Sequence, residues 1–546
     1  MWKKILLGLL VVIVIGGGLA WFNRQVIILY VVANRGKAEV AAHRPIQWET
    51  GPEEAAQSPN ERPPNIVFIL ADDLGINDIS TFGGGRIPTP NIDRLAAEGM
   101  IFSQAYSGTA SCAPSRAMLM TGRYPTRTGF EFTPTPDGMG RIVNMFFDPE
   151  RSGLPPLIQN DIETMPSFEE QGLPGSEVTI AEVLGAADYH TVHIGKWHLG
   201  RGAEFGANAQ GFNESLLMAS GLFLPEDDPD VVNARLDFDP IDQFLWGRMQ
   251  YAAQFNDGDW FEPGGYLTDW WTDEAVNVIR ANRNRPFFLY LAHWGVHTPL
   301  QATRADYDAV GDIEPHRERV YAAMIRSLDR SVGRIMDELE AQGLAENTII
   351  VFSSDNGGAG YIGIPDVNAP YRGWKLTFFE GGIRVPMFIR WPARIAAGSA
   401  NDTPVAHIDL MPTLASAAGA DLPGNVPIDG VDLLPAARGD AISRPNDAIF
   451  WQSGYYRVVR QGDWKLQVSD RPDRSWLYNL ATDPTEQRNL ATHMPRRTAA
   501  MRRLLDRHRE SGRAPLYPHT LEAPIAVDRS LASRVEAGDE VMYWPN

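Results

Sequence analysis

Three stretches of this 546-residue chain are apolar almost from end to end: Asn65-Ile-Val-Phe-Ile-Leu-Ala71, Pro286-Phe-Phe-Leu-Tyr-Leu-Ala292 and Thr348-Ile-Ile-Val-Phe-Ser353. A strand with one wet face alternates apolar and polar residues. These runs do not alternate, so each needs cover on both faces, as strands of a parallel sheet between helices have. Thr191-Val-His-Ile194 is a shorter candidate of the same kind. Val320, Met324, Leu328, Ile335, Met336 and Leu339 recur at helical spacing and Gly343 closes the pattern, so a helix separates two of the runs. The expectation is an α/β fold with a mainly parallel sheet sandwiched by helices.

Beyond residue 440 the pattern changes. Tyr455-Tyr-Arg-Val-Val-Arg460, a Gly462-Asp463 turn and Trp464-Lys-Leu-Gln-Val468 read as a hairpin, and a helix follows near 495–511. The chain therefore divides into residues 1–24, residues 25–64, a main domain over 65–440 and a smaller antiparallel α+β subdomain over 441–546. Residues 36–64 are polar and Pro-rich and predict a linker. The N-terminus carries Lys3 and Lys4, then an uncharged run from Ile5 to Phe22, then Arg24. Its length predicts a signal-anchor or transmembrane helix, and the lysines predict a cytoplasmic N-terminus. A signal peptide cut after Ala20 is the rival. The first places the protein in a membrane, facing outward as from a bacterial inner membrane into the periplasm; the second makes it soluble, periplasmic or secreted.

The net charge of -19 argues against nucleic acid as a partner. An anionic substrate would then need positive charge local to the site. Each buried run ends in polar residues, and ligands of open α/β sheets bind beyond the carboxyl ends of the strands. Asp72-Asp73 follows the first run and Asp355-Asn356 the last; three carboxylates and an amide make an oxygen cage suited to Ca²⁺ or Mg²⁺. Capping of the following helix is the plainer use of such aspartates. Lys196 and His198 follow the 191–194 run, His297 follows the 286–292 run and Lys375 lies in a later loop. These residue types suit oxyanion binding and proton transfer. His193, inside a strand, reads as a core histidine.

Cys112 is the only cysteine, so no intrachain disulfide forms. Pro114 and Ala117-Met-Leu-Met120 place it at or just before a helix N-terminus, a position that favours negative charge, with Arg116 one turn on. Cys112-Ala-Pro-Ser-Arg116, with Thr121-Gly-Arg-Tyr-Pro125 and Gly129, resembles the signature of the type I sulfatases. Asp72-Asp73, Pro90-Asn-Ile-Asp93, Gly195-Lys-Trp-His198, His297-Thr-Pro299, Asp355-Asn356, Gly373-Trp-Lys375 and Arg384-Val-Pro386 follow that family's order, so the resemblance spans roughly residues 63–500.

The resemblance implies an alkaline phosphatase-like fold with a large mixed, mainly parallel sheet. It implies hydrolysis of a sulfate monoester, arylsulfatase-like, with release of sulfate and an alcohol or phenol. Cys112 would be oxidised to 3-oxoalanine (formylglycine) by a formylglycine-generating enzyme. Asp72, Asp73, Asp355, Asn356 and the oxidised Cys112 would hold one cation, usually Ca²⁺. Arg116 would support the nucleophile, Lys196 and Lys375 would bind sulfate oxygens, His297 would protonate the leaving group and His198 would accept a proton. Ser220, in a looser local match, is the candidate for a further sulfate contact. A phosphate or phosphonate ester hydrolase is the second reading; a two-zinc phosphatase site would need more His ligands, and the chain has only 11 histidines. A membrane-tethered binding protein without turnover is the third. The substrate stays open between aryl, steroid and carbohydrate sulfates. Residues 130–180 and 222–271 are the expected rim, the second rich in aromatics such as Trp260, Tyr266, Trp270 and Trp271, which serve core packing equally well.

Overall fold

The structure, a computed structural model, describes Ile27, Val31, residues 37–160 and residues 165–546. The predicted segment 1–24 lies outside the described residues; among the described residues no helix is long and apolar enough to cross a membrane.

A ten-stranded sheet organises the molecule. From one edge its strands are Ser399–Asn401, Met100–Phe102, Met387–Arg390, Thr348–Ser354, Asn65–Ala71, Phe287–Ala292, His190–Gly195, Glu214–Ser220, Gln250–Phe255 and Trp260–Phe261. The five from Thr348–Ser354 to Glu214–Ser220 run parallel. The strands flanking those five pair antiparallel, which makes the sheet mixed. In the three long apolar runs every strand residue is buried. Their alternate residues feed two separate cores, Val67 and Ile69 on one face and Ile66 and Phe68 on the other. That two-sided burial is the physical reason the runs lack polar alternation.

The predicted helix is His316–Ala341, its buried stripe Val320, Met324, Leu328, Ile335 and Leu339 facing one core. In the 222–271 stretch, Phe261, Tyr266, Trp270 and Trp271 are core residues of the strand edge and of helix Leu267–Ala281, not rim. Residues 37–64 pack against the main body, from the sheet edge, where Ala41 bridges Phe261 and the Trp48 indole donates to Glu274 at 2.6 Å, to the start of Thr348–Ser354, where the Asn347 amide donates to the Pro59 and Arg62 carbonyls.

The C-terminal region has a four-stranded antiparallel sheet, Ala448–Ser453, Tyr456–Gln461, Trp464–Asp470 and Asp473–Asn479, with helix Pro495–Glu510 against it. Lys465 pins this sheet to the main body. Its ammonium lies 2.9 Å from Glu380 and 3.0 Å from Glu486, and all three side chains are fully buried. The chain then returns: Leu521–Ala526 pairs with Ile158–Gln159 and with Val541–Pro545. This last segment lies on the loop that carries Lys375, where Ala526 accepts from the Trp374 indole and Arg372 pairs with Asp528 and Glu540.

Candidate active site

The carboxyl ends of four parallel strands meet the N-terminus of helix Cys112–Thr121 in one crevice. Asp72 and Asp73 follow Asn65–Ala71, Lys196 and His198 follow His190–Gly195, His297 follows Phe287–Ala292, and Asp355 and Asn356 follow Thr348–Ser354. The turns are tight. Gly195 has φ 105°, and a Cβ there would sit 2.0 Å from the Ala292 carbonyl oxygen, so only glycine lets the chain swing Lys196 inward. Asp73, His198 and Leu376 occupy the same left-handed region, at φ 60°, 65° and 71°, without being glycine. Such strain persists where surrounding structure fixes the backbone, as at these three positions around the crevice.

Cys112 is the first residue of its helix and is 4% exposed. Its Sγ lies 3.1 Å from Lys375 Nζ, 3.6 Å from Asp72 Oδ1 and 3.9 Å from Asp73 Oδ1. Burial, with Asp355 and Asp72 close by, pushes the thiol far above its ordinary range. Arg116, one turn along and fully buried, donates from Nε to Asp355 at 2.9 Å and from Nη2 to Asp72 at 3.2 Å, and Nη1 donates to the Lys196 carbonyl. Lys196 Nζ is 2.6 Å from Asp72. Lys375 Nζ is 2.7 Å from Asp73 Oδ1 and 2.9 Å from Oδ2. Three cations thus face three carboxylates in a buried site, a balance that a bound divalent cation would tip toward the positive charge an anionic substrate needs. Burial and the Asp355 charge push Asp72 up to about 6. Against the same burial, Lys375 and His297 hold Asp73 well below the usual carboxylate range.

The donor set fits a hard divalent cation. Asp72, Asp73, Cys112 and His297 bring ligand atoms within 4.8 Å of one another. The Asn356 amide donates to Asp73 at 2.7 Å, while its Oδ1 is buried with no hydrogen-bond partner. A buried amide oxygen left without a partner is costly, and a cation would complete it. Asp355 is tied in by Arg116 and by the Asp73 backbone N–H at 3.3 Å.

The His297 ring stacks on Trp294 at 4.2 Å, and its Nδ1 lies 2.6 Å from the Thr298 carbonyl, which makes Nδ1 the donor and turns Nε2 toward Asp73 at 3.6 Å. Burial lowers its pKa to about 3. His198 is lowered well below the ordinary histidine value by burial and by Lys196, Arg116 and Lys375, and its Nδ1 is buried without a partner. His193 makes a core hydrogen bond to Ser215 at 2.9 Å. Ser220 ends strand Glu214–Ser220, and its side chain lies outside the described residues.

Tyr361 is a site residue that sequence reasoning missed. Standing on the short turn Gly360–Ile362, it donates to Asp73 at 2.7 Å, accepts from Lys375 at 3.0 Å and lies 3.5 Å from His297 Nε2. No apolar run or paired polar residue marks its position.

The family model described as Sulfatase matches residues 64–420, and one described as N-sulphoglucosamine sulphohydrolase, C-terminal, matches residues 373–511. N-acetylgalactosamine-6-sulfatase of Mus musculus is 32% identical over 481 residues, which span 86% of this chain and 85% of that protein. Steryl-sulfatase of Mus musculus is 32% identical over 483 residues, 74% of this chain and 70% of that protein. The solved structure of Ps i-CgsB in complex with k-i-k-neocarrahexaose superposes with a TM-score of 0.69 at 30% identity, covering 84% of this chain and 95% of its own.

Proposed function

The chain belongs to the sulfatase family, within the alkaline phosphatase-like superfamily, and is a sulfuric ester hydrolase; on that premise we propose that it cleaves a sulfate monoester in the crevice around Cys112, using that residue as 3-oxoalanine. The observation that carries this reading is the setting of Cys112. It is a buried side chain at a helix N-terminus, in contact with Lys375 and two aspartates, in a pocket whose cations suit an anion. A thiol pushed so far up stays protonated and is a poor nucleophile, whereas hydrated 3-oxoalanine supplies an oxygen nucleophile and a second hydroxyl on the same carbon.

Asp72, Asp73, Asp355 and Asn356 would hold the divalent cation, Ca²⁺ or Mg²⁺, with residue 112 as a further ligand; bound there, the ion supplies Lewis acidity toward a sulfate oxygen. Lys196 and Lys375 neutralise the remaining sulfate oxygens. Arg116 holds Asp72 and Asp355 in place. His297 presents Nε2 to the site and protonates the leaving oxygen. Burial favours its neutral form, and an anionic ester beside it favours the imidazolium that this step needs. His198 accepts a proton from residue 112. Ser220 remains a proposed sulfate contact.

The proposal includes an extracytoplasmic location, reached through the N-terminal run as anchor or cleaved signal, and oxidation of Cys112 by a formylglycine-generating enzyme. It also assigns catalysis to residues 65–440. The test is the mass of the tryptic peptide containing Cys112, with sulfate release from 4-nitrophenyl sulfate measured on the same sample. Replacement of sulfur and two hydrogens by one oxygen, together with turnover, supports the reading. An unmodified thiol, under conditions that convert a control sulfatase, overturns it.

A further inference from the structure

One buried aromatic ring at the crevice has no part in the chemistry above. Trp294 follows the end of strand Phe287–Ala292, is 5% exposed and touches three elements of the site at once. Its ring stacks on the His297 imidazole, with 4.2 Å between centroids and 28° between planes. Lys196 Nζ lies 4.6 Å from the centroid of a Trp294 ring. The indole N–H donates to the Gly221 carbonyl at 2.9 Å, directly after Ser220. Gly221 is shaped to that contact: its φ is 44°, and a Cβ there would stand 2.6 Å from the Trp294 ring. The strand end that carries Ser220 thus gives up its side-chain space to the indole.

These contacts differ in how much they hold. Lys196 is anchored without the ring, by Asp72 at 2.6 Å. His297 is not. Its Nδ1 bond to the Thr298 carbonyl at 2.6 Å fixes one point of the imidazole, and a ring held at one point can still pivot. Neither Asp73, at 3.6 Å, nor the Tyr361 hydroxyl, at 3.5 Å, meets Nε2 at an ordinary hydrogen-bond distance. The stacked face of Trp294 is what opposes that rotation.

We propose that Trp294 is a positioning residue for the reaction: it sets the plane of the His297 imidazole, so that Nε2 meets the leaving oxygen while Lys196 meets the sulfate oxygens of the same ester. The inference rests on the general-acid reading of His297 above and adds the residue that aims it.

Phenyl sulfate and 4-nitrophenyl sulfate test it, because they share a shape and differ in how much the leaving oxygen needs a proton. Steady-state kinetics are measured on the full-length enzyme, with the 3-oxoalanine content of every variant matched by peptide mass. In Trp294→Leu, kcat for phenyl sulfate should fall about 10- to 100-fold, and for 4-nitrophenyl sulfate much less. Inhibition by inorganic sulfate should stay close to wild type, since Lys196 keeps Asp72. Trp294→Phe retains a stacking face and should recover most of the loss. Gly221→Ala crowds the indole without removing it; it should show the same selective loss, and it carries the test where Trp294→Leu does not fold. In a His297→Ala background the selective part should vanish, because no acid is left to aim. Unchanged turnover of phenyl sulfate, equal losses for the two esters, sulfate inhibition weakened as much as turnover, no recovery in Trp294→Phe, or a selective loss that persists without His297 overturns the positioning role alone. A His297→Ala enzyme that loses both esters equally overturns the general-acid reading and this inference with it.

Discussion

Replacing Tyr361 by phenylalanine removes one oxygen from the middle of the site and nothing else. The ring keeps its edge contact with Trp374, at 6.3 Å between centroids, so the local fold remains. What is lost is a hydrogen bond of 2.7 Å to Asp73 and the acceptor that Lys375 meets at 3.0 Å. Asp73 keeps Lys375 and the Asn356 amide, so its charge is not left bare. A hydrogen bond to a charged group contributes about 1.5–3 kcal/mol. With about 1.4 kcal/mol per factor of ten, kcat/KM should fall about 10- to 140-fold. The assay is steady-state hydrolysis of 4-nitrophenyl sulfate by the wild type and the variant, with the content of 3-oxoalanine at residue 112 checked equal by peptide mass. The fold should be destabilised by up to the same amount, so the rates are compared at a temperature where both proteins are fully folded. A kcat/KM within about twofold of wild type would refute the view that this hydroxyl fixes Asp73 and Lys375.

Cys112→Ala should abolish turnover while circular dichroism and melting stay near wild type, because the carboxylates and both cores remain; residual wild-type activity would contradict a nucleophile at this position. His297→Ala should impair esters of poorly acidic alcohols far more than 4-nitrophenyl sulfate, whose leaving group needs little protonation, and an equal loss across leaving groups would remove it from the general-acid role. Chelation should suppress sulfate release and Ca²⁺ or Mg²⁺ should restore it; activity that survives exhaustive chelation would rule out the proposed cation. Lys465→Met should cost about 3–5 kcal/mol of stability, seen as a lower denaturation midpoint, because Glu380 and Glu486 stay buried without their shared cation; a loss under about 1 kcal/mol would show that those carboxylates take up protons freely.

The central strands were legible because a strand covered on both faces leaves a mark no loop mimics: seven residues without a charge, ended by acidic or cationic groups. The same punctuation led to Asp72, Asp73, Lys196, Asp355 and Asn356, since the last buried residue of such a strand must hand over to a polar crevice. Composition alone could not sort the aromatics of 222–271. Trp271 and Phe261 are fully buried because helix Leu267–Ala281 and the sheet edge close over them, a contact that no local window records. Tyr361 was illegible for a related reason: a three-residue turn in a glycine-rich loop carries it, and two of its partners, Asp73 and His297, follow strands far away in sequence. The strand Leu521–Ala526, short and interrupted by Pro524, exists because Ile158–Gln159 and Val541–Pro545 offer it edges.

That late-arriving strand sets an order of events. The loop with Tyr361 and Lys375 covers Cys112, and the loop in turn is held by Leu531, whose N–H meets the Gly360 carbonyl, and by Ala526, Asp528 and Glu540. About 400 residues separate Cys112 from this clasp, which at roughly 5–20 residues per second is on the order of 20 seconds or more of synthesis. During that interval the cysteine is on a chain that has not yet received its cover. On the proposed oxidation of Cys112, the modifying enzyme would work against a clock set by the far end of the same polypeptide, and a truncation beyond residue 520 would lengthen its access while loosening the site.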